Sequence, residues 1–531
     1  MTAAGHDSTH RTTSTSPVVE TAAPRRAWLA VLVISVSLLM IGLDNTILNV
    51  TLPTLQRALG ATASQLQWTV DAYLLVFAAL LLAAGNLGDR VGRRRTLQAG
   101  LIVFAVGSTL AALSGSPAQL IASRALMGVG GALIMPSTLS IITNMFTGAQ
   151  RAKAIAIWTA VAGLGIALGP VTGGWLLQRF WWGSIFLVNV PIAALALLAG
   201  FFVIPESRDP AAGRADPIGA VLSVLGLTSL VYAIIQAPTM GWTGALPLTA
   251  FAAAITFGTV FLVWELRTSH PMLQLNLFRN RRFSAASASI ALAFFALFGS
   301  LFFLTQYLQL VLDYSPLDAG LRTLPVAGGL IVGSALSAPI NTRLGTKLTV
   351  AGGMLLASVG LVLLAGATPA SNFSRILTAL LLAGCGIGLA MAPATDSVMG
   401  SLPRSKASVG SAMNDTARLI GGALGVAVLG TIISQVYQDH LSAAATLLPP
   451  PAATASRDSL QAALQVAAHL DAAHSSALQT AARLAFSDAM NRASLLAAAV
   501  ALAAALVALL ALPARPTTRT PNGAASGDEF R

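Results

Sequence analysis

Six charged side chains lie inside long apolar stretches of the sequence, and they are the residues of this chain best placed to do chemistry. They are Asp44, Asp71, Arg124, Asp396, Asp415 and Arg418. An ionisable group within a membrane helix costs roughly 2.5–3.5 kcal/mol on insertion scales, so it usually has a function or an opposite charge beside it. A carboxylate in such a place takes up and releases protons, whereas an arginine stays charged and holds a neighbouring carboxylate ionised.

Asp44, Asp71 and Arg124 are predicted to lie at a similar depth and to share a site. At about 1.5 Å per helical residue, each lies within roughly 10 Å of the outer end of its apolar stretch. We predict that Asp44 cycles a proton and that Arg124 is its counter-charge; a permanent structural ion pair is the alternative. Asp71 is predicted either to titrate as a second proton site or to neutralise a cationic substrate. An interfacial acid wetted from outside is the alternative there.

Asp415 and Arg418 are three residues apart, which places them on one face of a helix. Asp396 lies near the inner end of the preceding apolar stretch. We predict that the three residues form a structural or gating cluster at the cytoplasmic mouth rather than a second proton site.

The elements that must position these side chains are membrane helices. Of the 531 residues, 55% are hydrophobic and only 9% are charged, whereas about a quarter of a globular protein is charged. The apolar residues form fourteen stretches of roughly 20 residues, the length that crosses a bilayer as a helix. In lipid the backbone has to satisfy its own hydrogen bonds, which favours helices. The sequence therefore predicts an all-α integral membrane protein with fourteen transmembrane helices and excludes a soluble enzyme.

The net charge of +12 is a topology signal. Lys and Arg are about three times as frequent in the loops of one side, and the positive-inside rule makes that side cytoplasmic. Both termini are then cytoplasmic. No basic stripe interleaved with aromatic residues suggests nucleic acid. The single cysteine, Cys385, cannot form an internal disulfide, and no Cys/His cluster, nucleotide-binding motif or nucleophile motif predicts a metal site or an enzyme.

Two related loops predict an internal repeat. The segment GNLGDRVGRRR at 85–95 has a degenerate echo, TRLGTK, at 342–347, as expected of a transporter built from two similar halves. The predicted segments are a disordered tail (1–26), an N-terminal six-helix half (27–204), two inserted helices (217–264), a C-terminal six-helix half (283–513) and a second disordered tail (514–531). Within the second half, a long outer loop (437–488) is predicted to carry two short amphipathic helices, at 459–470 and 475–486; a disordered loop is the alternative.

With four motifs, the chain resembles the major facilitator superfamily and, within it, the fourteen-helix drug:proton antiporters. The motifs are LDNTILNVTLP (43–53), GNLGDRVGRRR (85–95), LIASRALMGVGGA (120–132) and GIALGPVTGG (165–174). The resemblance covers 27–436 and the last apolar stretch. It implies the major facilitator fold, with two six-helix halves plus two inserted helices, and transport driven by a proton gradient without a cofactor.

The resemblance also implies roles for the motif residues. Parts of a gate are expected at Gly85, Gly88, Asp89, Arg90, Gly92 and Arg93. The antiporter motif comprises Gly165, Gly169, Pro170, Gly173 and Gly174. Its glycines permit close helix packing and its proline bends the helix, so we expect this helix to seal one state of the pump against leakage. A simple packing helix is the alternative. A drug cavity is predicted to be lined by Tyr73, Trp158, Gln306 and Tyr307.

The predicted function is proton-coupled efflux of lipophilic, often cationic, drugs or natural products across the plasma membrane. The expected partners are a small lipophilic substrate, protons and the lipid bilayer, with the protein acting as a monomer. Two alternatives stay open: an exporter of an endogenous metabolite or lipid, and a metabolite importer. A non-transporting membrane sensor or scaffold is disfavoured, because it would not need costly acids inside the membrane.

Overall fold

The structure, a computed structural model, describes residues 25–146, 148–208, 216–401, 407–446 and 448–513. Sixteen α-helices account for nearly all of this described part. In chain order they are α1 Arg25–Leu59, α2 Ala63–Val91, α3 Arg93–Ala112, α4 Pro117–Met145, α5 Gly148–Arg179, α6 Ser184–Leu187, α7 Asn189–Val203, α8 Pro217–Met240, α9 Ala245–Arg267, α10 Arg281–Gln306, α11 Pro316–Leu364, α12 Phe373–Gly400, α13 Ala407–Ala445, α14 Pro450–Asp458, α15 Leu460–Ala467 and α16 Ala472–Ala511. The all-α prediction is confirmed. The predicted tails lie outside the described residues, apart from positions 25 and 26.

Twelve helical segments of the described residues are long and apolar enough to cross a membrane. Helix α11 is one of the twelve, although its 49 residues contain a break at Gly345, where φ is 80°. At about 1.5 Å per residue, α11 would measure roughly 74 Å, about twice what one crossing needs. The predicted stretches 319–341 and 348–366 are therefore the two arms of one kinked helix. The count of fourteen crossings stays a prediction.

Helices α1–α7 form one bundle, called here the N-terminal bundle, and α10–α13 with α16 form the C-terminal bundle. In the first, α1 packs on α5 and α7, while α4 packs on α2 and α3. In the second, α11 packs on α12, and α16 packs against α10, α11 and α13. The two bundles meet where α2 contacts α13 and where α5 contacts α11.

Successive connections alternate between the two ends of the structure, named here after a glycine at each. The Gly60 end carries the turns at 60–62, 113–116, 180–183 and 312–315. The Gly92 end carries the turn between α2 and α3, where Gly92 has φ 126°, and the break in α11. Under the predicted topology, the Gly60 end faces outward and the Gly92 end faces the cytoplasm.

The segment predicted as a long loop is mostly helical. The first predicted amphipathic helix corresponds to α15, but the second is wrong as a separate element, because 475–486 is the first part of α16. Asp471 begins that helix by accepting hydrogen bonds from the backbone N–H groups of Ala473 and His474, each at 3.2 Å. No proline or glycine interrupts the apolar sequence that follows, so the helix continues to Ala511.

Helices α14 and α15 lie over the Gly60 end and contact the N-terminal bundle. Gln56 Nε2 donates to Ser459 Oγ at 2.5 Å. Burial raises the pKa of Asp458 above its ordinary value, while the backbone N–H of Ala63 at the start of α2 acts in the opposite direction. Helices α14 and α15 therefore pack on the turn between α1 and α2.

Candidate functional site

Asp44 and Arg124 form a buried ion pair between α1 and α4. Arg124 Nη1 lies 2.6 Å from Asp44 Oδ2, and the two side chains are 2% and 0% exposed. Two charges buried in this way are stable only if further hydrogen bonds satisfy them. The predicted pairing of these two residues is present in the structure, at the centre of the N-terminal bundle.

Further groups from three helices complete the pair. Asn189, the first residue of α7, donates from Nδ2 to Asp44 Oδ1 at 3.1 Å and to Ser108 Oγ at 3.0 Å. Arg124 Nε donates to the carbonyl of Thr69 at 3.1 Å. The guanidinium also lies 4.3 Å from the centre of the Tyr73 ring, which makes a cation–π contact. Five helices, α1, α2, α3, α4 and α7, thus converge on one carboxylate and its counter-charge.

Asn189 was missed by sequence reasoning, which considered only ionisable residues for the proton site. Its signal was a lone amide in the apolar run IFLVNVPIAAL, because polar side chains in membrane helices tend to hydrogen-bond across helices. Ser108 carried no comparable signal.

Asp71 lies on another face of α2 from the residues that contact Arg124. It is fully buried, and neither carboxylate oxygen has a hydrogen-bond partner within the described part of the chain. One turn earlier on the same face, Gln67 lies against Gly430 of α13. The structure therefore does not bring Asp44, Asp71 and Arg124 into one shared site, because Asp71 lies toward the C-terminal bundle. Its full burial also argues against a wetted interfacial acid.

The antiporter motif packs α5 against both bundles. A Cβ at Gly165 would lie 2.8 Å from the carbonyl oxygen of Leu39 of α1, and a Cβ at Gly169 would lie 2.8 Å from that of Leu43. The same atom on Gly173 would lie 2.7 Å from Ile47 Cγ1 of α1. On Gly174, by contrast, it would lie 2.5 Å from Leu317 Cα of α11.

The proline of the same motif faces the C-terminal bundle as well. The carbonyl of Pro170 lies so close to Gly320 of α11 that a side chain at position 320 would collide with it. The motif therefore combines packing inside the N-terminal bundle with contact between the bundles.

The loop motif forms a tight turn at the Gly92 end. Arg93 Nε lies 2.8 Å from Asp89 Oδ1 across the Gly92 break. Glu206, after α7, accepts a hydrogen bond from the backbone N–H of Arg94 at 3.2 Å and lies within 4 Å of the Arg94 and Arg95 side chains. Gly88 packs on Thr96, Gly85 approaches Pro136, and Arg90 is exposed.

The predicted cytoplasmic cluster is only partly present. Arg418 Nη1 lies 3.7 Å from Asp415 Oδ1, and Arg418 Nη2 lies 3.5 Å from Thr395 Oγ1. Asp396 is exposed and belongs to no ion pair found among the described residues. A helical residue points about 100° away from its chain neighbour, so Asp396 cannot follow Thr395 toward the pair.

A cavity lies between the bundles, and its lining differs from the predicted one. Polar side chains from α1, α10 and α11 meet apolar ones in a lining that includes Thr46, Asn49, Pro170, Leu301, Thr305 and Thr323. The predicted lining residues are bonded within their own bundles. Tyr73 lies under Arg124, and Trp158 Nε1 donates to Thr138 Oγ1 at 3.1 Å. Gln306 Nε2 donates to the carbonyl of Phe302 at 3.0 Å, and the Tyr307 hydroxyl donates to the carbonyl of Thr368 at 2.7 Å.

Pro53 of α1 explains one polar residue of this lining. Proline has no N–H, so the carbonyl of Asn49, four residues earlier, lacks its helical partner. The Thr305 hydroxyl of α10 donates to that carbonyl at 2.7 Å, and Gln309 Nε2 donates to the next carbonyl, Val50, also at 2.7 Å. Both bonds join the two bundles. The π-helical turn at Tyr307–Val311 holds Gln309 in this position.

A long-helix membrane bundle with a buried acid–arginine pair and a cavity between two bundles is the architecture of a membrane transporter. The model of the Major Facilitator Superfamily matches residues 34–426. The chain belongs to this superfamily and is therefore a multi-pass membrane transporter, not an enzyme.

Several relatives are similar over nearly their whole length. The "Multidrug efflux pump LfrA" of Mycolicibacterium smegmatis is 39% identical over 91% of this chain and 95% of the relative. The "Tetracenomycin C resistance and export protein" of Streptomyces glaucescens is 34% identical over 93% and 94%. A solved bacterial homologue of the human lysosomal transporter Spinster shares the fold, with a TM-score of 0.64 at 18% identity over 92% of this chain and 98% of that one.

Proposed function

We propose that this chain exports lipophilic, often cationic, drugs or natural products across the plasma membrane in exchange for protons. Both termini lie in the cytoplasm and the unit is a monomer. The drug-export part is supported by the relatives, which are named as a multidrug efflux pump and as an antibiotic resistance and export protein. The observation that carries the coupling part is the pair of Asp44 and Arg124, which is fully buried among five helices and lies within two turns of the cavity.

Helix α1 connects the proton site to the substrate site. Asp44 faces Arg124, while Thr46 and Asn49, two and five residues later on the same helix, line the cavity. When Asp44 takes a proton, it loses its charge attraction to Arg124, and the hydrogen bonds from Asn189 and Arg124 weaken. Helix α1 is then free to shift relative to α4 and α7, which changes the cavity wall. Antiport follows if the drug-bound and the proton-bound forms favour opposite states.

The contacts between the bundles support a state that is closed outward. The bonds from Thr305 and Gln309 to α1, the contact of Gly174 with Leu317, and the bond from Gln178 Nε2 to Ser315 Oγ at 3.0 Å all lie toward the Gly60 end. In the exporting cycle these contacts have to separate to release the drug. Motif residues 85–93 act as the gate at the opposite end.

Helices α8 and α9 are proposed to be an insert at the edge of a six-plus-two-plus-six arrangement. Helix α8 contacts α2 and α13, and α9 packs chiefly on α8. Ser223 Oγ donates to the carbonyl of Ala79 at 3.4 Å, and Thr431 Oγ1 donates to that of Ile234 at 3.0 Å. Cysteine crosslinking of α9 to cavity residues such as Thr323 should fail, whereas crosslinks from α8 to α2 should form. The reverse pattern would overturn the peripheral placement.

The function itself is tested by drug susceptibility. Expression of the chain in a host without its own pumps should raise resistance to lipophilic cations and lower their accumulation. A protonophore should remove both effects. An importer would instead raise accumulation in the energised host, so the direction of flux in everted vesicles separates the two.

A further inference from the structure

Two acidic residues lie close together at the Gly92 end of the inserted helices, far from Asp44. Asp216 immediately precedes α8, and Glu265 is near the end of α9. Both are buried, at 6% and 4% exposure. The proposed export mechanism uses neither of them, and sequence reasoning missed both because they stand at the edges of the predicted apolar stretches.

Asp216 accepts hydrogen bonds on both carboxyl oxygens, its Oδ2 from Trp264 Nε1 at 3.0 Å, whereas Glu265 is held on one side only. Asp216 Oδ1 accepts from the backbone N–H of Gly219 at 2.8 Å and from Trp264 Nε1 at 2.9 Å. Glu265 Oε2 accepts from the backbone N–H of Leu273 at 2.8 Å. Glu265 Oε1 is buried and receives no hydrogen bond from any donor in the described residues. The polar group that Glu265 meets there is the Asp216 carboxyl.

Asp216 Oδ2 and Glu265 Oε1 converge at Gly219. If a Cβ were built on Gly219, it would lie 2.5 Å from Asp216 Oδ2 and 2.6 Å from Glu265 Oε1. Both oxygens lie beside the same glycine, where two buried carboxylate charges would repel strongly, and a proton shared between the two groups removes that repulsion.

Within the described residues, which leave out 209–215, no positive charge pairs with either acid to offset that repulsion. Helix α8 carries no charged residue of its own, and on α9 the other charged residue is the exposed Arg267. His270, in the segment that follows α9, is also exposed. Neither Asp216 nor Glu265 takes part in an ion pair within the described ranges.

We propose that Asp216 and Glu265 share one proton and form a second protonation site, which holds the segment 268–280 against the inserted helices. Glu265 links the two parts, since one of its oxygens faces Asp216 and the other binds Leu273. When the shared proton leaves for water, both groups become carboxylates and the O–H···O bond is replaced by repulsion. Glu265 then moves away from Asp216 and releases Leu273, so the segment between α9 and α10 loosens at alkaline pH.

Thiol labelling of the purified full-length chain tests the site without any transport measurement. In a Cys385→Ser background, Met272→Cys places the reporter next to Leu273, where the native side chain is partly buried. Labelling is compared with that of the same chain carrying Glu265→Gln, whose amide is a permanent donor to Asp216. The comparison at each pH cancels the titration of the thiol itself. Relative to Glu265→Gln, labelling of the parent should rise severalfold from acid to alkaline pH.

Two further variants keep the test decisive if Glu265→Gln folds poorly. Gly219→Ala fills the point of convergence and should give high labelling at every pH. Asp471→Asn removes an exposed acid of similar type and should leave the parent profile unchanged. Identical pH profiles of the parent and Glu265→Gln would overturn the proposal. So would suppression of alkaline labelling by added Mg²⁺ in the parent alone, because it would assign a bound cation instead of a proton.

Discussion

The two bundles each contain an acid–arginine pair, and the two pairs are built differently. Asp44 and Arg124 lie 2.6 Å apart with 0% and 2% exposure, whereas Asp415 and Arg418 lie 3.7 Å apart with 10% and 32% exposure. The first pair joins two helices and is completed by three others. The second lies within a single helix, at i and i+3.

The difference in construction decides which pair can act as a switch between helices. A proton on Asp44 changes contacts among five helices, so its binding energy can move one helix relative to another. A proton on Asp415 changes contacts within one helical turn, because its partner Arg418 is on the same helix. The contacts of Arg418 with Thr395 and the Phe294 ring do not involve the Asp415 carboxyl and remain. We infer that the N-terminal pair carries coupling, and that the C-terminal pair tunes the mouth at the Gly92 end.

Removing one partner of the N-terminal pair should have the largest effect. Arg124→Gln leaves a buried carboxylate without its counter-charge, and breaking a buried pair in this way costs about 3–5 kcal/mol. The melting temperature of the detergent-solubilised protein should fall clearly, and efflux should be lost. The double variant Asp44→Asn with Arg124→Gln removes both charges, so it should recover most of the stability but none of the coupled transport. Additive losses of stability would contradict the pairing.

Gly174 tests how the two bundles move against each other, because it lies at their contact. Gly174→Val forces a side chain onto the backbone of α11, and overpacking of this kind costs about 1–3 kcal/mol. Gly173→Val is the matched control within the motif, since its Cβ would meet Ile47 of α1, with Cγ1 at 2.7 Å and the carbonyl oxygen at 3.0 Å, and would not touch the other bundle. We expect both to impair turnover in proteoliposomes, Gly174→Val more strongly, with drug binding nearly unchanged. Turnover equal to the parent for both would leave only a packing role.

Asp71 tests whether recognition of charge is separate from coupling. A buried carboxylate attracts a cation several times more strongly than it would in bulk water. Asp71→Asn should therefore weaken export of cationic dyes more than export of neutral compounds. Resistance to one substrate of each kind is compared in the same strain at matched expression. Equal loss for both would assign Asp71 to coupling and would defeat the charge-recognition role.

The smallest effect is expected at the C-terminal pair. Asp415→Asn removes a long ion pair, 3.7 Å, whose arginine is partly exposed to solvent, and solvent-screened pairs contribute about 0–1 kcal/mol. Stability should change little, and efflux should fall modestly without loss of gradient dependence. Abolition of gradient-driven efflux by Asp415→Asn, at normal expression, would break the distinction between the two bundles.

The sequence predicted the pairing of Asp44 with Arg124 because buried charges in lipid need partners and two opposite charges at one depth form the natural pair. The membrane helices could be predicted from the length of the apolar stretches alone. The sequence did not separate Asp71 from the pair, because depth says nothing about which face of α2 meets which neighbour. Aromatic residues such as Tyr73 and Tyr307 were assigned to the cavity on residue type, whereas the tertiary packing places both inside the bundles.

The short helix predicted at 475–486 was wrong for a different reason. Its helical periodicity was correct, but periodicity does not show where a helix stops when no proline or glycine follows. Pro53 was a sequence signal for the polar part of the cavity wall. It has no N–H, so the carbonyl that Thr305 binds lacks its helical partner. The residue that donates to this carbonyl is set by how α10 packs against α1. That packing depends on the whole fold and cannot be predicted from a local sequence pattern.

Coupling at Asp44 is tested most directly in proteoliposomes with an imposed pH gradient and a lipophilic cationic dye. The parent should accumulate dye above equilibrium only while the gradient lasts. Asp44→Asn, which mimics the protonated acid, should still exchange dye between the two sides at equal concentrations but should accumulate none. Gradient-driven accumulation by Asp44→Asn at the level of the parent would contradict the assignment of Asp44 as the residue that couples proton entry to drug export.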